Sequence, residues 1–353
     1  MNNWRRIITI ILFLVSMDVG SAWAQADSGR TSVESATWRL EVGNDVLFGK
    51  DNQISSGWSV QKHSAVAGSW EDLAGMPEFI HQWGAAVPTL TGEGLCYRGG
   101  IAVGQVIQTP DDLSRRHLNK DDVPYAGALT AQASWYAFND DEFRGFEFTL
   151  GVVGPPSLAR QTQKLAHQIT NDTEPRGWDH QLKTEPVLNF NYMRKQKIWR
   201  YGNRADWAAD VSVDGHAELG NMFTQASVAL ECRWGYNMPR GFASVPDPIG
   251  LSMHYIAALT PTNPQAGSFY ATLVLTGSAV AHNIFLDGNT FRDSHSVDKE
   301  PLVGLLVAGI HYEKENWGIH FNVMVSTDDV DTDDAPDAEG HEQLGIITIE
   351  SRF

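Results

Sequence analysis

From Trp38 to the C-terminal Phe353, short runs of alternating apolar and polar residues recur, and the polar positions carry residues that a dry core rejects. Trp38, Leu40 and Val42 alternate with Arg39, Glu41 and Gly43. Phe146, Phe148, Leu150 and Val152 alternate with Glu147, Thr149 and Gly151, and Leu188, Phe190 and Tyr192 with Asn189 and Asn191. Near the end, Ile319, Phe321, Val323 and Val325 alternate with His320, Asn322 and Met324. A period of two is that of a strand with unlike faces. A soluble sandwich turns its apolar face inward and its polar face to water. A transmembrane barrel turns the apolar face to lipid and the Arg, Glu, Asn and His face to a polar lumen. Closure also pairs every backbone group, as a bilayer demands.

Twelve such runs occur, at about 38–45, 56–64, 97–107, 125–138, 143–154, 185–198, 205–217, 224–236, 267–281, 301–313, 317–327 and 342–353. An even count suits a bacterial barrel with both termini in the periplasm. The terminal aromatic, following Ile347 and Ile349, is similar to the C-terminal signal of bacterial outer-membrane proteins. On this count the outer connections include 46–55, 108–124, 155–184, 282–300 and the acidic 328–341. The inner connections 65–96 and 237–266 are long for periplasmic turns, and the first contains an amphipathic segment, Met76 to Trp83. The expected fold is all-β: one twelve-stranded antiparallel transmembrane barrel over 25–353, with a short helix in an outer loop. A secreted β-sandwich is the rival.

Arg5 and Arg6 precede the apolar run Ile7 to Val15, and Ala22-Trp23-Ala24 forms a small-residue cleavage site. Residues 1–24 are therefore read as a secretory signal peptide. The whole chain has 26 basic and 43 acidic residues. Removing Arg5, Arg6 and Asp18 leaves 24 and 42, a net charge of −18. An acidic exported chain does not suit nucleic acid. Cys96 and Cys232 lie in separate strand-like runs, a number and spacing that suit neither a disulfide scaffold nor a cysteine metal site.

The connection 155–184 carries the most suggestive chemistry. Gln163 and His167 are four residues apart and share a helix face. Leu165 and Ile169 turn to other sides, and Asn171, Pro175 and Gly177 end the helix. A solvated surface histidine is the plain alternative.

Around that helix stand Gly43-Asn44-Asp45 at the end of the first strand, Ile54-Ser55-Ser56-Gly57-Trp58 at the start of the second, and Asp121-Asp122-Val123-Pro124-Tyr125-Ala126-Gly127 before the fourth. With Gln163, His167, Pro175, Gly177-Trp178, Gln181-Leu182 and Glu185-Pro186, this order resembles the lipid A 3′-O-deacylase family of outer-membrane enzymes. The resemblance covers nearly the whole chain after residue 24. It implies a Ca²⁺-dependent esterase acting on lipid A or lipopolysaccharide in the outer leaflet. It assigns Asn44, Gln163, His167 and Ser55 to the catalytic site, Asp45 to the metal, Arg115 to substrate and Glu174 to the acidic place after the helix. Asp172 and Ser56 are the neighbours that spacing does not exclude. Where the family commonly has a second Asp after the Asn-Asp pair, this chain has Val46.

Strand parity adds an independent statement. Asn44 shares the parity of Trp38, Leu40 and Val42 and points out of the barrel; Asp45 points in. By the same alternation Ser56 goes with Trp58 and Val60 outward and Ser55 inward, against the family match. In the expected chemistry His167 is general base on a water, with Gln163 or Glu174 orienting its ring. Ca²⁺ polarises the ester carbonyl, and Asn44 and the serine region donate to the oxyanion. The rivals are a serine nucleophile, similar to outer-membrane phospholipase A, and a non-enzymatic pore or adhesin. No G-x-S-x-G elbow favours the serine.

Overall fold

The computed structural model describes residues 36–45, 53–170, 173–242, 257–259 and 263–353. The segment 1–24 lies outside them. The strands are β1 (Thr37–Asn44), β2 (Gln53–His63), β3 (Cys96–Thr109), β4 (Ala126–Phe138), β5 (Glu142–Val153), β6 (Glu185–Gly202), β7 (Trp207–Gly220) and β8 (Phe223–Tyr236). A two-stranded sheet, β9 (Arg240–Phe242) with β10 (Ala257–Leu259), interrupts the series. Then follow β11 (Ser268–Asn283), β12 (Leu302–Lys314), β13 (Trp317–Asp328) and β14 (His341–Arg352). Twelve of these close into one antiparallel barrel, with β1 pairing β14 and β8 pairing β11. Each expected run is a barrel strand. β6 continues beyond the expected 198, because a bulge between Lys197 and Trp199 lets its hairpin with β7 run on to a turn at 203–206.

The two faces are as unlike as the alternation requires. Trp38, Leu150, Val228, Leu273 and Ile310 are exposed on the outer wall, while Arg39, Glu147, Glu231, Thr272 and His311 are buried inside. Ions buried in a lumen are costly unless paired. Here they are paired. Lys195 Nζ lies 2.5 Å from Glu231 and 3.3 Å from Asp214, and Arg233 makes two bonds to Asp210, of 2.8 and 2.5 Å. Tyr270 donates to Glu313 at 2.6 Å. This is a packed polar core, which counts against the pore.

The outer mouth is capped as well. The short helix α3 (Ile284–Asp287) buries Ile284 and Phe285 with Val106, Ala128, Val153 and Phe223, and the Phe285 carbonyl accepts from Gln108 at 2.7 Å. The inner connection 65–96 contains α1 (Glu78–Ala86), which overlaps the expected amphipathic segment Met76 to Trp83 from Glu78 on. The outer connection 155–184 contains α2 (Ala159–Thr170), the expected short helix. Cys96 and Cys232 are free thiols on β3 and β8.

Candidate active site

Register lays the outward residues of the first four strands in rows. Asn44 pairs Ser56, Ser56 pairs Ile107, and Ile107 pairs Gly127. The next row is Val42, Trp58, Gln105 and Leu129. Directly opposed residues share a face, so Asn44 and Ser56 stand side by side on the outer wall. Asn44 is half-buried there, as its parity predicts. Asp45 is buried and continues the inward series of Arg39, Glu41 and Gly43.

The 155–184 connection folds back over this wall from the far side. Gly127 makes the approach possible: a Cβ there would sit 2.1 Å from the Ala159 Cβ and 2.7 Å from the Ser157 Oγ. Gln105 then ties loop to wall, accepting from Trp58 Nε1 at 3.0 Å and donating to the Ser157 carbonyl at 2.5 Å. Leu158 turns the chain into α2 with a left-handed φ of 61°. Ala159 packs with Ile107, Leu113, Tyr125 and Trp178. Gln163, one turn on, is buried and accepts from Trp178 Nε1 at 2.8 Å, while its own amide nitrogen is buried without a partner among the described residues. His167, a further turn along, is half-buried at the edge of the packed face. Leu165 and Ile169 are exposed on other sides, as the helical spacing predicts.

The ring of His167 is held by the chain that leaves its own helix. Its Nδ1 lies 2.5 Å from the Thr173 carbonyl oxygen. A carbonyl only accepts, so the Nδ1 carries the proton and the Nε2 has the lone pair of a base. The sequence reading has Gln163 or Glu174 orient the ring, and the structure adds the Thr173 carbonyl as a contact of it. Gln163 is engaged by Trp178, and Glu174 forms an ion pair with Lys164 at 2.8 Å that staples the return segment to α2. The Lys164 hydrogen bond lowers the Glu174 carboxyl below its usual pKa. Asp172, the other acidic candidate, lies outside the described residues.

Ser55 falls at a register break. Ile54 pairs Gln108 and Ser56 pairs Ile107, leaving Ser55 as the extra residue of a bulge. Alternation counted down from Trp58 meets this register break at Ser55, whose side chain lies outside the described residues. Arg115 is half-exposed and bridges two outer loops, 3.4 Å from Asp112 and 3.3 Å from Asp337. A substrate phosphate would have to compete with those carboxylates.

For a hard cation, Asn44 and Asp45 supply oxygen donors of the right kind. Among the described residues, no group of three or more acidic, His or Cys side chains is placed to hold an ion. The shell would need backbone, water or substrate oxygens beside Asp45. Two contributors had no place in the sequence reading. Thr173 acts through its backbone and leaves no sequence signal. Gln105 did leave one, a polar residue at an outward position of β3 between Val103 and Ile107.

Comparison with known proteins agrees with the barrel fold. The family model described as outer membrane protein LpxR matches residues 8–353. No curated protein matches the chain. Among solved structures, LpxR from Salmonella typhimurium is similar at a TM-score of 0.71 and 14% identity, over 90% of this chain and 100% of that one. The beta domain of the Bordetella autotransporter BrkA has a TM-score of 0.40 at 10% identity, over 90% of this chain and 97% of that one, too low to carry weight. The chain belongs to the LpxR family of outer-membrane proteins, the lipid A 3′-O-deacylase family that its strand tips and helix resemble.

Proposed function

We propose that this outer-membrane protein hydrolyses the 3′-linked acyl ester of lipid A in the outer leaflet, with a water activated by His167. The observation that carries the proposal is the placement of a tautomer-fixed histidine on a helix seated against the outer wall, beside the row that holds Asn44 and Ser56. A glycolipid reaches that wall by lateral diffusion, without leaving the membrane.

His167 Nε2 takes a proton from water as the water attacks the ester carbonyl, and returns it to the leaving alkoxide. Proton transfer to Nε2 makes an imidazolium whose Nδ1–H remains bonded to the Thr173 carbonyl, so the ring keeps its aim throughout. Asn44, an amide on the lipid-facing side, donates to the developing oxyanion. The serine pair at the start of β2 offers a second donor. Gln163 positions α2 through Trp178. When bound at Asp45, Ca²⁺ supplies Lewis-acid polarisation of the carbonyl. Arg115 is assigned to a substrate phosphate.

The test is the mass of lipid A from cells expressing the protein. Loss of one acyl or acyloxyacyl chain from the 3′ position supports the proposal. Unchanged lipid A with deacylated phospholipid would favour the serine mechanism instead, and unchanged lipids of both kinds would leave a binding barrel.

A further inference from the structure

At the membrane face opposite the candidate site, the outer wall carries a groove of about 720 Å³ between α1 and the strands β1 to β5. Its floor is two outward rows: Val60, Val103, Ala131 and Leu150, then Trp38, Lys62, Ile101, Ala133 and Phe148. Alanines at 131 and 133 make the dent. The wall of the groove is α1, which the chain anchors firmly. Trp135 Nε1 donates to the Ile80 carbonyl at 2.9 Å, and Gly99 admits Ile80, whose Cγ2 would be 2.6 Å from a Cβ there. Trp83 stacks on Trp135 at 5.9 Å and Phe79 meets it edge-on at 6.2 Å, yet both remain 50% and 44% exposed on the groove side.

Lys62 is the one charged residue lining the groove. It occupies an outward position of a membrane strand, where a cation is costly unless it reaches headgroups. Its Nζ donates to the Gly75 carbonyl at 3.2 Å and lies 5.9 Å from the Trp38 ring. Among the described residues it has no carboxylate within ion-pair distance. Lys62 is six residues from Ser56 on the same face, roughly 20 Å at about 3.3 Å per residue, which sets it at the other interface. That end holds the strand termini Thr37 and Arg352 and the tight turns 139–141 and 315–316, and is periplasmic.

We propose that this groove seats a glycerophospholipid of the periplasmic leaflet, its phosphate on Lys62 and one acyl chain over Ala131 and Ala133 against Trp83. The fit rests on three features together. The groove opens on lipid, its volume falls in the ligand-pocket range of about 300–1,000 Å³, and the one charge that lines it is a cation at headgroup depth beside Trp38. The proposal depends on the barrel's membrane location and not on the hydrolytic reading. Its seat is a long way from His167, so the bound phospholipid is a resident and not a substrate.

The experiment is native mass spectrometry of the detergent-purified full chain, titrated with dipalmitoyl phosphatidylglycerol. Wild type should carry one phospholipid that survives delipidating detergent. A131W, which fills the groove from an exposed position, and K62E, which reverses the charge, should each weaken that adduct at least tenfold. Leu275→Trp, on the wall of β11, should bind as wild type does. Heat-modifiable migration checks that each variant is a barrel, and K62E alone decides the matter should A131W not fold. Equal retention by wild type and K62E would overturn the proposal. So would a wild-type chain that retains no phospholipid, or one that retains only lipopolysaccharide.

Discussion

Asn44 on β1 and Ser56 on β2 are direct cross-strand partners, and both belong to the face of the barrel that meets lipid. Two polar side chains paired on that face are expensive away from the headgroups. They stand at the outer rim, in the same row as the glycine under α2, where the proposed reaction would use them. The serine nearest Asn44 in register is thus Ser56, while the family resemblance selects Ser55. Single variants separate the two. Under the water mechanism the serine that donates to the oxyanion should cost roughly 10²–10³-fold in rate when changed to Ala, and the other should be near wild type. An acyl adduct trapped on either serine in quenched digests would replace the water mechanism with a covalent one.

His167→Ala should lower lipid A deacylation by about 10²–10⁴-fold, the usual contribution of a general base. Outer-membrane yield and heat-modifiable migration should be unchanged, because the residue lies on α2 and takes no part in the strand ladder. The check is released acyl chain per unit time in detergent micelles. Wild-type turnover in this variant would remove the histidine from the site.

Gly127→Ala should act at a distance from the chemistry. The new Cβ would meet Ala159 at 2.1 Å, an approach that only displacement of the α2 N-terminus relieves. A shift of about 1 Å in a catalytic group is enough to cost about 10²-fold. The barrel itself should still form, since Gly127 keeps its backbone pairing with Ile107. Full activity would mean that α2 tolerates being lifted from the wall.

If Asp45 holds the cation, the purified wild-type barrel should bind Ca²⁺ in calorimetry and Asp45→Ala should bind it at least tenfold more weakly. Chelator should abolish turnover without altering migration on gels. Equal Ca²⁺ binding by both proteins would place the ion elsewhere, and full turnover in chelator would dispense with it.

The outer loops should loosen as pH rises towards neutrality. Burial, with the neighbouring Asp111 carboxylate adding to it, raises Asp122 from 3.8 to about 7, although the backbone amides of Val123 and Asp111 oppose the shift. Burial likewise raises Asp329 to about 7. A carboxyl whose folded pKa exceeds its unfolded value binds the extra proton in the folded loop. Its stabilising effect is complete near pH 4 and is lost as pH climbs to about 7, with little further change above that. Proteolytic nicking within 110–125 and 329–340 should be faster at pH 8 than at pH 5, and Asp122→Asn should slow it only at pH 8. Nicking that ignores pH in the wild type would show that these carboxyls do not hold the loops.

The alternation of residues such as Trp38, Arg39, Leu40 and Glu41, repeated in twelve runs, made a wall with one apolar and one polar face legible in the sequence, and closure of that wall into a barrel rather than a sandwich was decided by the pairing of β1 with β14. Side chains along a strand must alternate, and a bilayer accepts only a closed sheet. The same local rule placed Asn44 outward, and helical spacing put Gln163 and His167 on one face. Tertiary structure alone decided where that face points. The bulge at Ser55 interrupts the count because a single unpaired residue changes which side the next one faces, and no local preference in Ile54-Ser55-Ser56 announces it. The partner of His167 was beyond sequence for a different reason. Thr173 contributes a carbonyl that every residue possesses, so only the path of the chain leaving α2, fixed by the Lys164–Glu174 pair and the seat of Ala159 on Gly127, brings that oxygen to the ring.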